Sequence, residues 1–199
     1  MYLISVYFDE KTNRILQRYI DQIAAKTGNT FMTDHHVPPH MTISAIEARS
    51  VELLRPVFLD LQGNIKQGKI RFVSVGQLLP YVMYATPVLN AYLQDISTQV
   101  YEAVKDIPET TVSKYYRPLS WLPHVTLAKK LDKDQMLKAM AVLQDSFAPF
   151  EATVTESGLA KVNPHEDVER FELCGRYNRF LMENLAVRSW LRAKSQRFP

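Results

Sequence analysis

A chain of 199 residues with 46% hydrophobic and 23% charged side chains can bury a sizeable core, which excludes intrinsic disorder. Its single cysteine, Cys174, excludes an internal disulfide and a multi-thiolate zinc cluster, and suits a reducing, cytoplasmic compartment. The net charge of +3 is local: residues 176–199 carry six Lys and Arg against one acid, leaving 18 basic and 20 acidic residues elsewhere, too few cations in excess to grip duplex DNA through many phosphates.

In chain order, Leu3 to Phe8 reads as a strand, and Asp9, Glu10 and Lys11 follow it too soon for a secretion signal. Ile15, Leu16, Tyr19, Ile20, Ile23 and Ala24 then share one helical face up to Gly28. Met41 to Ile43 is a short strand. Leu53, Leu54, Val57, Phe58 and Leu61 suggest a second helix, weakened by Pro56, before a strand over Ile70 to Leu79. From Phe72 to Gln94 the chain has no charge for 23 residues, a length that could span a bilayer. Ser74, Gly76, Gln77, Pro80, Thr86, Pro87 and Asn90 punctuate it, which fits two buried strands around a turn and no membrane segment.

From Tyr81 the pattern starts over. Tyr81 to Thr86 is a strand, Leu89, Leu93, Ile96, Val100 and Val104 mark an amphipathic helix, and a loop runs to Trp121. Val125 and Leu127 form a strand, Asp132 with Gln135 resembles a capping box for a helix carrying Leu137, Met140, Leu143 and Phe147, and strands follow at Phe150 to Val154 and Val168 to Leu173. Both halves thus read strand, helix, strand, helix, strand, without a Gly-, Ser- or Pro-rich linker between them. Duplication of one supersecondary unit explains this, and predicts a single α+β domain acting as a monomer. The expected fold is a bilobal pseudo-two-fold repeat, two antiparallel sheets facing a central groove with helices outside. Lobe one spans about residues 1–79, lobe two about 80–175, and a C-terminal helix about 177–195.

At matching places in the halves stand Pro39-His40-Met41-Thr42-Ile43 and Pro123-His124-Val125-Thr126-Leu127, 84 residues apart. Strand side chains alternate, so His40 and Thr42 face one way while Met41 and Ile43 face the other, and His124 and Thr126 follow suit. Two imidazoles and two hydroxyls therefore line whatever lies between the lobes, and Pro38, Pro39 and Pro123 hold each approach extended. Imidazole titrates near neutrality, so one histidine can accept a proton while its twin donates one. That suits phosphodiester cleavage around neutral pH without a metal or cofactor. One ring deprotonates water, the other protonates the departing sugar oxygen, and the threonines hydrogen-bond the nonbridging oxygens.

The paired motifs, their spacing and the repeat resemble the 2H phosphoesterase superfamily, the 2'-5' RNA ligase and cyclic phosphodiesterase family, over most of the chain. The resemblance implies two pseudo-symmetric α+β lobes around a groove and metal-free action on 2',3'-cyclic or 2'-5' linked phosphates. It makes His40 and His124 the acid and base pair and Thr42 and Thr126 the phosphate ligands. Members often carry Arg five positions after the second histidine; here that place holds Lys129, a point charge without the planar fork.

Other residues near the motifs divide between function and plain structure. Tyr115, Tyr116, Arg117 and Trp121 precede the second motif; the rings could stack a nucleobase and Arg117 could meet a phosphate, or all could serve packing and solvation. The doublet His35, His36 suggests metal, but Pro38 and Pro39 forbid the helix that would align positions 36 and 40. His165 reads as a turn residue, and Cys174 as buried at a strand end. The expected partner is a small nucleotide or RNA end bearing a phosphodiester. Two rivals remain: a nucleotide- or RNA-end-binding module without turnover, and the same chemistry on a cyclic phosphate of ADP-ribose or on a 2'-5' oligoadenylate.

Overall fold

A computed structural model describes residues 1–162 and 165–177. The first repeat begins with β1 (Tyr2–Phe8), then α1 (Glu10–Thr27), whose N-terminus is capped by the Asp9 carboxylate on the Thr12 N–H and whose end closes at Gly28. A single turn α2 (Phe31–Asp34) leads to β2 (Met41–Ala48). Pro56 lies in the first turn of the short α3 (Arg55–Asp60), where its missing N–H costs nothing, so it starts a helix that the sequence led us to expect it to interrupt. The strand β3 (Gly68–Leu78) completes the first half.

The second half runs β4 (Val82–Pro87), α4 (Ala91–Val104), β5 (Thr110–Val112), β6 (Val125–Ala128), α5 (Lys133–Ser146), β7 (Phe150–Lys161) and β8 (Glu166–Glu172). The capping box is present: the Asp132 carboxylate accepts from Gln135 N–H, and the Gln135 side chain accepts from Asp132 N–H. β7 is longer than its apolar stretch suggested, because Val154 to Lys161 pairs with β1 while Glu156 to Lys161 also pairs with β8. β5, read from sequence as loop, is three residues made a strand by pairing with Ile46–Ala48 of β2. Cys174 is exposed, a correction to its expected burial: Leu173 takes the inward position after β8, and alternation turns the next residue out. The expected C-terminal helix lies beyond Tyr177, outside the described residues.

All observed pairings between strands are antiparallel, and six strands form a closed circuit in the order β1, β2, β6, β4, β3, β7 and back to β1. The circuit has a two-fold logic. Exchanging β1 with β4, β2 with β6 and β3 with β7 leaves every pairing in place. The α+β class and the internal repeat are therefore those expected, with one refinement: the two sheets are one continuous hydrogen-bonded system, joined by the single pair Met41 with Val125 on one side and by five pairs between β3 and β7 on the other.

The helices obey the same exchange. α1 packs on β6 and β7, and α4 on β2 and β3. Leu16, Ile20, Ile23, Leu93, Ile96 and Val100 are buried together with Met41, Ile43, Val125 and Leu127, so the apolar residues between and after the motif polar groups anchor them to the core. Among the described residues no helix is long and apolar enough to cross a membrane.

Candidate active site

Pairing of Met41 with Val125 sets the site. An antiparallel register through that pair carries His40 toward Thr126 and Thr42 toward His124, all on the face opposite the buried Met41 and Val125. Each histidine is fixed in the same way. Nδ1 of His40 donates to the Pro38 carbonyl at 2.8 Å, and Nδ1 of His124 to the Leu122 carbonyl at 2.9 Å. A carbonyl oxygen only accepts, so the proton is on Nδ1 in both rings and Nε2 carries the free lone pair. Both rings are half-buried. Burial pushes His40 from 6.5 down to about 4, and also lowers His124 against the smaller opposing effect of Leu122. Two neutral imidazoles result at pH 7.

Thr42 is buried beneath the site, its Oγ1 approached by the Ser5 hydroxyl at 3.5 Å and its carbonyl accepting from the Trp121 indole N–H at 3.1 Å. Trp121 thus takes a different part from the base-stacking one considered for it: at 7% exposure the ring offers no free face and instead ties the loop to β2. Tyr116 is half-buried within hydrogen-bond reach of Thr42, its phenol pushed up by burial. Tyr115 is 69% exposed with the Lys114 ammonium 5.3 Å from its ring centre, and Arg117 is exposed on the same loop. Lys129 stands exposed one residue past β6, off the alternation shared by His124 and Thr126. His35 stacks on Phe31 at 4.3 Å. No group of three His, Cys, Asp or Glu side chains placed to hold a metal occurs among the described residues.

Several neighbours escaped the sequence reading. Tyr7 lies 6.1 Å from the His40 ring and Tyr84 5.4 Å from that of His124. His165, though in a turn as expected, stacks on His40 at 5.4 Å. Two glycines occupy equivalent positions: Gly76 pairs with Tyr84, and Gly158 with Ser5. A Cβ at Gly76 would lie 2.5 Å from the Tyr84 hydroxyl, and one at Gly158 would lie 2.7 Å from the Tyr7 ring. Both glycines therefore make room for the aromatic rings flanking the histidines. Their matched places inside the third strand of each repeat were the available signal, since an isolated glycine in a strand marks a close approach.

The architecture is shared with solved structures. The TT0787 protein of Thermus thermophilus matches with a TM-score of 0.58 at 18% identity, over 88% of this chain and 99% of that one. E. coli LigT complexed with 3'-AMP matches with a TM-score of 0.54 at 16% identity, over 87% and 98%. These likenesses define the fold. By sequence no curated protein matches, but residues 13–166, which include both histidine motifs, match the 2'-5' RNA ligase superfamily. The chain belongs to that superfamily, the 2H phosphoesterases.

Proposed function

We propose that the chain is a metal-independent phosphodiesterase that opens 2',3'-cyclic phosphates on nucleotides or RNA ends, or makes and breaks 2'-5' linkages, with His40 and His124 as its base and acid. The observation that carries this reading is the matched Nδ1 anchoring of two imidazoles on adjoining strands, which leaves two Nε2 atoms for proton transfer. Nε2 of His40, the more strongly held neutral, takes a proton from water as its oxygen attacks phosphorus. The bond from phosphorus to one ribose oxygen breaks, and Nε2–H of His124 protonates that oxygen. With O3' leaving, the product is a 2'-phosphate. With a ribose 5'-hydroxyl in place of water the same steps make a 2'-5' linkage, and run backward, with O3' attacking phosphorus and O5' leaving, they break it to the cyclic phosphate.

The acid must be charged before it acts. A phosphate anion entering between the rings favours their protonated forms, and supplies the proton affinity that burial removes from His124. Thr42 and Thr126 donate to the nonbridging oxygens as charge grows there, and Tyr116 braces Thr42. Strain in the five-membered cyclic phosphate and in-line placement of water do much of the rest. The structural neighbour LigT is complexed with 3'-AMP in one crystal structure and with NADP+ in another, which supports a nucleotide-sized ligand in this fold.

Incubation with nucleoside 2',3'-cyclic phosphates and with a short RNA bearing a cyclic end tests the reading. The expected result is a monoester product, unaffected by EDTA, with kcat reduced roughly 10²–10⁴-fold in His40→Ala and in His124→Ala. Binding without product, or full activity in either variant, refutes it.

A further inference from the structure

β8 lies outside the repeat, paired among the described residues with β7 alone, and at its entry the two-fold symmetry of the site is broken. The His165 ring stacks on His40 with centroids 5.4 Å apart and planes at 24°. Its side chain is only 13% exposed, and its Nε2 lies 3.4 Å from the Asp167 carboxylate without a hydrogen bond among the described residues. Asp167 in turn accepts from the Tyr7 hydroxyl at 3.1 Å and is paired with Arg170 at 3.0 Å. Arg170 also reaches Glu156 at 3.5 Å and lies 3.6 Å over the Tyr7 ring. Among the described residues the ring neighbour of His124 is Tyr84, edge-on, with no such cluster beside it.

We propose that His165 is a positioning residue of this active centre, which covers one face of the His40 ring, opposes a proton there, and so makes His40 rather than His124 the proton acceptor. A ring laid nearly parallel on an imidazole excludes water from that face, and a positive charge on either ring disfavours one on the other. The remaining groups facing His40 divide. Asp167 favours its protonation, but that carboxylate is already engaged by Tyr7 and Arg170, with Glu156 holding Arg170 from the far side. His124, at the head of the adjoining β6, opposes it. Tyr7, on β1, stays neutral because burial, reinforced by Asp167, pushes its phenol up to about 12. The balance agrees with the low proton affinity of His40, for which burial is the largest cause.

The catalytic meaning of this inference rests on the phosphodiesterase reading, but the proton affinity of His40 can be read without turnover. Proton NMR titration of the His40 Cε1–H in the full chain, alongside the pH dependence of kcat/KM, is the test. In the unmodified protein the midpoint is expected near 4. In His165→Ala it should rise by about one pH unit or more toward that of free imidazole, carrying the acid limb of kcat/KM with it. His165→Phe, which keeps a ring over that face and removes the nitrogens, should fall between. A folded His165→Ala whose His40 midpoint is unmoved overturns the proposal, even if its stability falls, because a space-filling turn residue would do just that. Should His165→Ala not fold, His165→Gln is judged by the same criterion. A normal shift in a protein without turnover sinks the phosphodiesterase reading and leaves the role of His165 standing.

Discussion

Thr42 and Thr126 occupy equivalent positions but different surroundings, and their substitution should separate packing from chemistry. Thr42 is buried under Ser5 and Tyr116, whereas Thr126 is half-buried. Valine keeps the volume of each and removes the hydroxyl. Thr126→Val is expected to lower kcat on a cyclic phosphate roughly 10²-fold with the denaturation midpoint unchanged. Thr42→Val should show a similar kinetic loss together with about 1 kcal/mol of destabilisation, measured by urea unfolding. The histidines add a pH signature. His40 is held near 4 in the folded chain against 6.5 unfolded, so between those values the unfolded chain takes up a proton that the folded one refuses. Stability from this group is complete above about 6.5, falls as pH drops toward 4 and levels below. His40→Gln should flatten that part of the urea-stability profile by no more than about 3 kcal/mol. The same asymmetry puts the bell-shaped kcat/KM profile of the free protein on the acid side of neutrality, below the neutral optimum that unperturbed imidazoles would give.

At the scale of elements, the strands that carry the site are short and depend on their neighbours. β6 has four residues, and its place is fixed by β4, by the one pair with β2, and by the Thr86 hydroxyl donating to the Pro123 carbonyl at 2.8 Å. The third strand of each repeat contributes a bare backbone at Gly76 and Gly158 over which the tyrosines fold. Gly158→Ala should displace the Tyr7 ring from beside His40 and cost about 1–3 kcal/mol by overpacking, with an accompanying fall in kcat. Gly76→Ala makes closer approaches to the end of the Tyr84 ring, but Tyr84 is half-buried and can swing outward where the buried Tyr7 cannot, so it should be milder. Comparing the two variants by thermal unfolding and by rate checks this order. Regular elements were readable where periodicity and end signals agree, as in α5 with its capping box. Those set by partners, β5 and the extension of β7, were not, because a three-residue Thr-Thr-Val segment and a strand end interrupted by Glu156, Ser157 and Gly158 acquire their conformation only from the chain beside them.

For the whole molecule, the pairing circuit decides what can fold alone. Among the described residues β3 pairs only with β4 and β7, both from the second half, and α1 rests on β6 and β7. We propose that the boundary near residue 79 divides two repeats and does not divide two independently stable units. A fragment of residues 1–79 has no partner for its last strand and no cover for much of the inner face of its first helix. It is expected to show no cooperative unfolding by circular dichroism, and to regain structure when mixed with the fragment 80–199. Cooperative unfolding of the first fragment by itself would contradict the proposal.

By itself the sequence determined the strand and helix periods, the duplication, and the two Pro-His-apolar-Thr-aliphatic segments whose alternation turns imidazole and hydroxyl to one face. These are local properties, written in neighbouring residues and in their recurrence 84 positions on. Only the tertiary structure decided that the repeats interleave through shared pairings, that Trp121 braces Thr42 from within the core, and that Tyr7, His165 and Asp167 surround one histidine and not its twin. Such contacts join residues that no spacing rule relates: burial and charge at His40 arise from a strand that enters the sheet 125 residues later, outside the repeated pattern.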